Sequence, residues 1–256
     1  MGDQTGGGST AEGEGCPDEN DAGGKPAPGG MTSARTWRPA LRFSSSKLLV
    51  MLLLYIFTAP FVDQLREGAL ITSLLMTAVL IIATLSVGSR RWTLMVAVFL
   101  VVPTLVARWS VHVRGEPIPP EVFSISGMLF IGFVALNIVH FTIRAPEVGS
   151  EVLYAGITGY LLIGIFWAFA YRLVDAATSG AYSFNGPPTV PHSMQGFNAI
   201  YFSYTTLCTL GYGDIAPVSP AARMTAIMEA MTGTLYVTVM IARLVALHTS
   251  RIDHKG

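Results

Sequence analysis

Thr205-Thr206-Leu207-Cys208-Thr209-Leu210-Gly211-Tyr212-Gly213-Asp214 places glycine at alternate positions near its end, directly after a moderately apolar section, Met194 to Cys208. That section is too short and too polar to cross a membrane alone. It lies within a Gly- and Pro-bearing stretch, Asp175 to Pro220, between two long apolar segments, about Val152 to Leu173 and Ala221 to Leu247. A short helix and loop held between two spans read as a re-entrant unit, which is tolerated at membrane depth only where protein surrounds it.

Four more apolar segments precede this unit, at about Leu48 to Phe61, Ala69 to Val87, Trp92 to Val106 and Val122 to Thr142. Composition agrees with this reading. Of 256 residues 51% are hydrophobic and 12% charged, and the mean hydropathy is +0.52, whereas soluble domains carry about 25% charged residues. The expected fold class is an all-α membrane protein with six transmembrane helices and a re-entrant pore helix and loop between the fifth and sixth. Zero net charge argues against a nucleic-acid partner. Cys16 and Cys208 support neither a disulfide framework nor a zinc site. The histidines at 112, 140, 192, 248 and 254 lack metal-binding spacing. No nucleophile elbow, phosphate loop or zinc-peptidase motif is found, so the chain is not expected to be an enzyme.

The expected organisation is a Gly-rich acidic tail over 1–44, a four-helix transmembrane domain over 45–147, a pore domain over 148–248 and a short tail over 249–256. Ten of the first 30 residues are Gly and six are acidic, too little apolar surface to fold. With the amino terminus inside, eleven Lys and Arg lie in the cytoplasm and five outside. The expectation is therefore a multi-pass cell-membrane protein with both termini cytoplasmic. About nine residues follow Leu247, so no ligand-binding domain is expected there.

A run of backbone carbonyls facing one axis needs dihedrals of alternating hand, and Gly211 and Gly213 can take the positive φ that this requires. Such carbonyls replace the water around a bare cation. One strand covers one side of an ion, and the chain holds the motif once, so a four-fold homotetramer in the lipid bilayer is the economical assembly. The motif resembles the potassium-channel selectivity filter, Thr-Val-Gly-Tyr-Gly-Asp, in five of six positions, with Leu210 for Val. The likeness to a prokaryotic-type potassium channel spans about Val152 to Leu247. It implies passive, potassium-selective conduction, with K+ held at Thr209, Leu210, Gly211 and Tyr212, and Gly213 completing the filter. K+ is then the permeant ion, and no cofactor is expected. The fourth span carries none of the regularly spaced Arg or Lys of a voltage sensor, so steep voltage gating is not expected. The competing readings are a nonselective cation channel, should Leu210 and Cys208 loosen the filter, and a non-conducting membrane sensor or scaffold. A potassium transporter subunit would repeat the hairpin unit, and the single motif speaks against it.

Filter support is expected from Tyr201, Thr205, Thr206, Cys208, Asp214 and Glu229. The pore helix is placed at about Met194 to Leu207 with Ser193 as a possible N-cap. Its carboxyl end carries roughly half a negative charge toward the ion path. Phe202 reads as a packing residue, and Cys208 as a small buried group or as a redox- or metal-sensitive site behind the filter. Asp214 reads equally as a mouth carboxylate that concentrates cations or as a pin for the loop. Glu229 is the one acidic residue deep in the last span, which reads as a functional group or as a structural polar plug. It is expected to hydrogen-bond behind the filter, to Thr206 or a helix-end amide. Gly233 reads as a hinge or a close-packing point. Thr234, Val237, Thr238 and Ile241 recur at helical spacing and are expected to line the inner cavity.

Overall fold

The computed structural model describes residues 45–62, 68–87, 91–114, 119–145, 149–185 and 192–253. The expected acidic tail over 1–44, with Cys16, and the last three residues lie outside them. Among the described residues the chain runs α1 (Ser45–Val62), α2 (Gly68–Val87), α3 (Arg91–Arg114), α4 (Pro120–Arg144), α5 (Ser150–Ala177), β1 (Tyr182–Phe184), α6 (Phe197–Leu207), β2 (Ile215–Pro217) and α7 (Pro220–Asp253). Every helix except α6 is long and apolar enough to cross a membrane. The protein is thus an all-α membrane protein with six transmembrane helices and a short helix and loop between the fifth and sixth.

The boundaries follow local chemistry. Pro120 opens α4 at a position where its missing N–H costs no helical bond. Glu121 in the first turn and Arg144 in the last complement the helix dipole. After α5 the backbone N–H of Thr178 closes the last turn on the Val174 carbonyl, and Gly180 takes φ 69° to reverse the chain into β1. The antiparallel pairing of β1 with β2, Ser183 opposite Ala216, carries no alternating apolar signal in the sequence. It forms because the chain returns past the loop on both sides of α6.

Helices in lipid gain little from apolar burial as such, so close packing has to hold them together. Small residues let the aromatics in. A Cβ added at Gly127 of α4 would lie 2.7 Å from the Phe169 ring of α5, and one at Gly132 would lie 3.1 Å from Phe166. The main core of α1 to α6 includes Leu48, Leu52, Val79, Leu80, Phe130, Ile131, Val134 and Leu162. A second cluster, Tyr171, Tyr182, Met194, Phe202 and Ala222, seats α6 against α5, the β-pair and α7. Burial pushes the Tyr182 phenol above its ordinary range, with Asp175 and Glu229 adding to the effect. The most apolar stretch of α7 is 11% buried, against 61% for α5.

Candidate functional site

α6 is shorter than the sequence suggests. It begins at Phe197 behind Gly196 (φ 55°), and no side chain caps it. Ser193 is therefore not the N-cap. The Met194 N–H donates instead to Asp175 Oδ2 (2.9 Å), and Asn198 Nδ2 to the Ser193 carbonyl (3.0 Å). These bonds hold residues 193–196 as a bend that ties the helix start to the end of α5.

The loop leaves α6 by folding back on its last turn. The amides of Thr209 and Leu210 donate to the carbonyls of Thr206 (2.9 Å) and Thr205 (2.8 Å). Thr205 and Thr206 thus hold the start of the loop through their backbone carbonyls. The Thr205 hydroxyl is spent locally on the Phe202 carbonyl (3.0 Å). Gly211 and Gly213 take φ 55° and 81°, and Thr209 takes φ 57°. Left-handed residues therefore recur at 209, 211 and 213. The glycines were legible in the sequence. Thr209 was not, because a β-branched residue rarely enters that region, and its strain costs about 1–3 kcal/mol. Leu210 and Tyr212 are 58% and 68% exposed in the single chain.

Around the loop, Tyr201 lies within electrostatic reach of Asp214, so the aromatic expected beside the filter stands near the carboxylate that follows the loop. Phe202 is 5% exposed and stacks edge-on against Tyr171 and Tyr182, which agrees with packing. Cys208 is exposed in the chain rather than buried, with Sγ 3.4 Å from Tyr160 Oη. A residue the sequence did not mark, Asn185, pins the far end. Its N–H donates to the Asp214 carbonyl (2.7 Å), and its Nδ2 donates to the Gly213 carbonyl (3.0 Å). One side-chain bond of this kind is worth about 1 kcal/mol net. Asn185→Ala is therefore expected to cost about 1 kcal/mol of stability; an unchanged thermal unfolding midpoint in detergent would show that Asn185 does not hold the loop.

Glu229 is fully buried. It does not reach Thr206 or a helix-end amide directly. Its Oε1 lies 2.5 Å from Ser203 Oγ on α6, and its Oε2 accepts from the Tyr171 hydroxyl on α5. One carboxyl on α7 joins all three elements of the site. Ser203 and Tyr171 carried no sequence signal, because hydroxyl residues are common across α5 and α6 and their depth was unknown.

Gly233 is a close-packing point. A Cβ there would lie 2.7 Å from the Leu207 carbonyl and 2.8 Å from Leu207 Cδ1, and α7 runs through it as one helix. Gly233→Ala is expected to push on the backbone end of α6 and cost about 1–3 kcal/mol. Thermal unfolding in detergent would show this, and an unchanged midpoint would contradict it. Thr234, Val237, Thr238 and Ile241 share an exposed face of α7.

A short helix ending in a strained loop between two spans, with that loop held by backbone amides, defines a pore-loop membrane protein. Residues 158–249 match the family model described as Ion channel. Over 79 residues, 31% of this chain, the sequence is 37% identical to Two pore potassium channel c of Oryza sativa subsp. japonica, covering 16% of that protein. Over 48 residues, 19% of this chain, it is 35% identical to Two-pore potassium channel 5 of Arabidopsis thaliana, covering 12% of that protein. The match thus spans about a sixth and an eighth of those relatives' lengths. No solved structure matches. Through residues 158–249, about a third of the chain, the sequence is thus similar to an ion-channel family.

Proposed function

We propose that the protein is a potassium-selective channel in which four copies surround one axis and conduct K+ passively through backbone carbonyls. The alternation of backbone hand at Thr209, Gly211 and Gly213 carries this reading. Alternating hand turns successive carbonyls to one side, and a ring of such strands substitutes for an ion's hydration shell. The K+ positions are the carbonyls of Thr209, Leu210, Gly211 and Tyr212, with Gly213 at the mouth. Potassium as the permeant ion is also consistent with the names of the two plant relatives.

The exposed faces support the homotetramer. Tyr212, Leu210, Met231 and Leu235 each stand more than half exposed in one chain, and a pore-lining helix that is so little buried needs copies of itself around it. Residues 148–248 form the pore domain and 45–147 the four-helix domain of this reading. α4 carries charge only at its ends, at Glu121 and Arg144. Each charge moved through the field is worth about 2.3 kcal/mol per 100 mV, so gating is not steeply voltage-dependent. The Ser45 N–H reaches Glu151 (3.2 Å), and Arg243 reaches the Ala145 carbonyl. The start of α1, the α4–α5 connection and the end of α7 therefore share one side, which the Lys/Arg bias makes cytoplasmic.

Barium-sensitive rubidium flux into vesicles holding the purified protein, with cross-linking to count subunits, tests this. Flux from a tetramer is expected. A sealed vesicle population with verified protein, no flux and no oligomer would leave a membrane sensor instead.

A further inference from the structure

A groove of about 540 Å³ runs between α4, α5 and α7. Its walls are apolar, with Leu136 and Val139 from α4, Phe166 and Trp167 from α5, and Leu235 from α7; Arg243 is the single charged lining residue. At its wall the Phe166 ring of α5 packs closely on the backbone of Gly132. At about 100° per residue, Thr232, Leu235, Tyr236, Val239 and Arg243 share one face of α7, opposite Thr234, Val237, Thr238 and Ile241. The groove therefore opens away from the face proposed to line the pore.

Two observations say what fits it. The first is length. Thr232 and Arg243 are eleven residues apart, about 16 Å along a helix, and one leaflet of the hydrocarbon core is about 15 Å deep. The groove thus spans a single leaflet and ends at a guanidinium. The second is charge. Arg243 donates from Nη2 to the Ala145 carbonyl, while its Nε is buried with no partner. A buried donor without an acceptor is costly, and a guanidinium matches phosphate geometry.

We propose that this groove binds an anionic phospholipid of the leaflet on the Arg243 side, with one acyl chain beside Trp167 and the phosphate on Arg243. A zwitterionic lipid offers the same phosphate together with a compensating ammonium, so the excess cation selects the anionic headgroup. The site requires the helices to cross a bilayer, but it does not require the chain to conduct.

Trp167 is the reporter. The full chain carrying Trp37→Phe, Trp92→Phe and Trp109→Phe is placed in phosphatidylcholine vesicles containing increasing amounts of brominated phosphatidylglycerol or brominated phosphatidylcholine. One basic side chain near the headgroups contributes a preference of about five-fold. Brominated phosphatidylglycerol is therefore expected to quench Trp167 at about one-fifth the mole fraction needed with phosphatidylcholine. Arg243→Gln should bring that ratio to about one. Equal quenching by both lipids in the parent chain would mean ordinary surrounding lipid. No quenching by either would mean a neighbouring copy fills the groove. A preference that survives Arg243→Gln would place the headgroup elsewhere. Each of these three results overturns the proposal. Should the Trp variants fail to fold, native mass spectrometry of the unmodified chain and of Arg243→Gln gives the same decision: phosphatidylglycerol retained through delipidation by the first and lost by the second, against equal retention in both.

Discussion

Gly211→Ala is expected to reduce potassium current more than a hundred-fold while leaving the assembled protein recoverable from detergent. Gly211 sits at φ 55° with open space around the position of a Cβ, so alanine meets no clash and suffers in the backbone alone. Left-handed backbone costs an L-residue about 1–2 kcal/mol. In a four-fold ring the cost falls on four strands at once, about 4 kcal/mol or more, which corresponds to roughly a thousand-fold shift in the population of the conducting backbone. The loop relaxes by turning a carbonyl away from the axis, and the ion loses its ligands. Current measured in planar bilayers, beside a cross-linking control for subunit number, reads the effect. Near-normal current from the Ala variant would mean that ions do not pass along this backbone.

Glu229→Ala is expected to be the most destabilising single change in the pore elements. It removes the acceptor of the Tyr171 hydroxyl and the partner of Ser203, at about 1–3 kcal/mol for a buried group left unmatched, and it opens a cavity as well. The sum is about 3–5 kcal/mol, read as a large loss of recoverable oligomer and a lowered unfolding midpoint. Glu229→Gln should cost less than about 1 kcal/mol. The reason lies in Ser203, whose Oγ is also 2.6 Å from the Gly164 carbonyl. With Gln the amide oxygen accepts from Tyr171, the amide N–H₂ donates to Ser203, and Ser203 donates to Gly164, so every polar atom is matched. A Gln variant as unstable as Ala would show that the carboxylate charge, not the hydrogen-bond pattern, holds the three helices together.

The order of elements was legible because membrane spans are long, apolar and separated by turns, and all six apolar segments read from the sequence lie within helices. The glycine alternation was equally legible, since it is a local backbone requirement written in residue type. Interactions between distant segments were not. Asn185 lies on the far side of α6 from Gly213, and nothing in either neighbourhood marks the pair. The start of α6 was misplaced for the same reason: Asp175 takes the Met194 amide from a distance of 19 residues and delays the helix. Glu229 announced itself as a buried acid, yet its partners depended on helix rotation, which apolar periodicity leaves loose in a span that is hydrophobic nearly all round. Gly233 read equally as a hinge or a contact, and the Leu207 carbonyl beside it shows the contact.

In the proposed channel, a gating stimulus would act without charges along the middle of α4. α1 and α4 pack directly against α5, which carries Tyr171, Tyr160 and the glycine notch at Gly164 that receives the Tyr204 ring. The Tyr204 hydroxyl donates to the Leu161 carbonyl (2.6 Å), so movement of α5 reaches α6 through a rigid aromatic contact. Mechanical or lipid-borne forces on the four-helix domain would travel by that route.

The reversal potential under opposed potassium and sodium gradients, recorded from the purified protein in planar bilayers, decides the central proposal. A filter built on the backbone of residues 209–213 is expected to set it near the potassium equilibrium value. A reversal near zero would contradict potassium selectivity and mark the pore as nonselective, with Leu210 and Cys208 as the positions to change first.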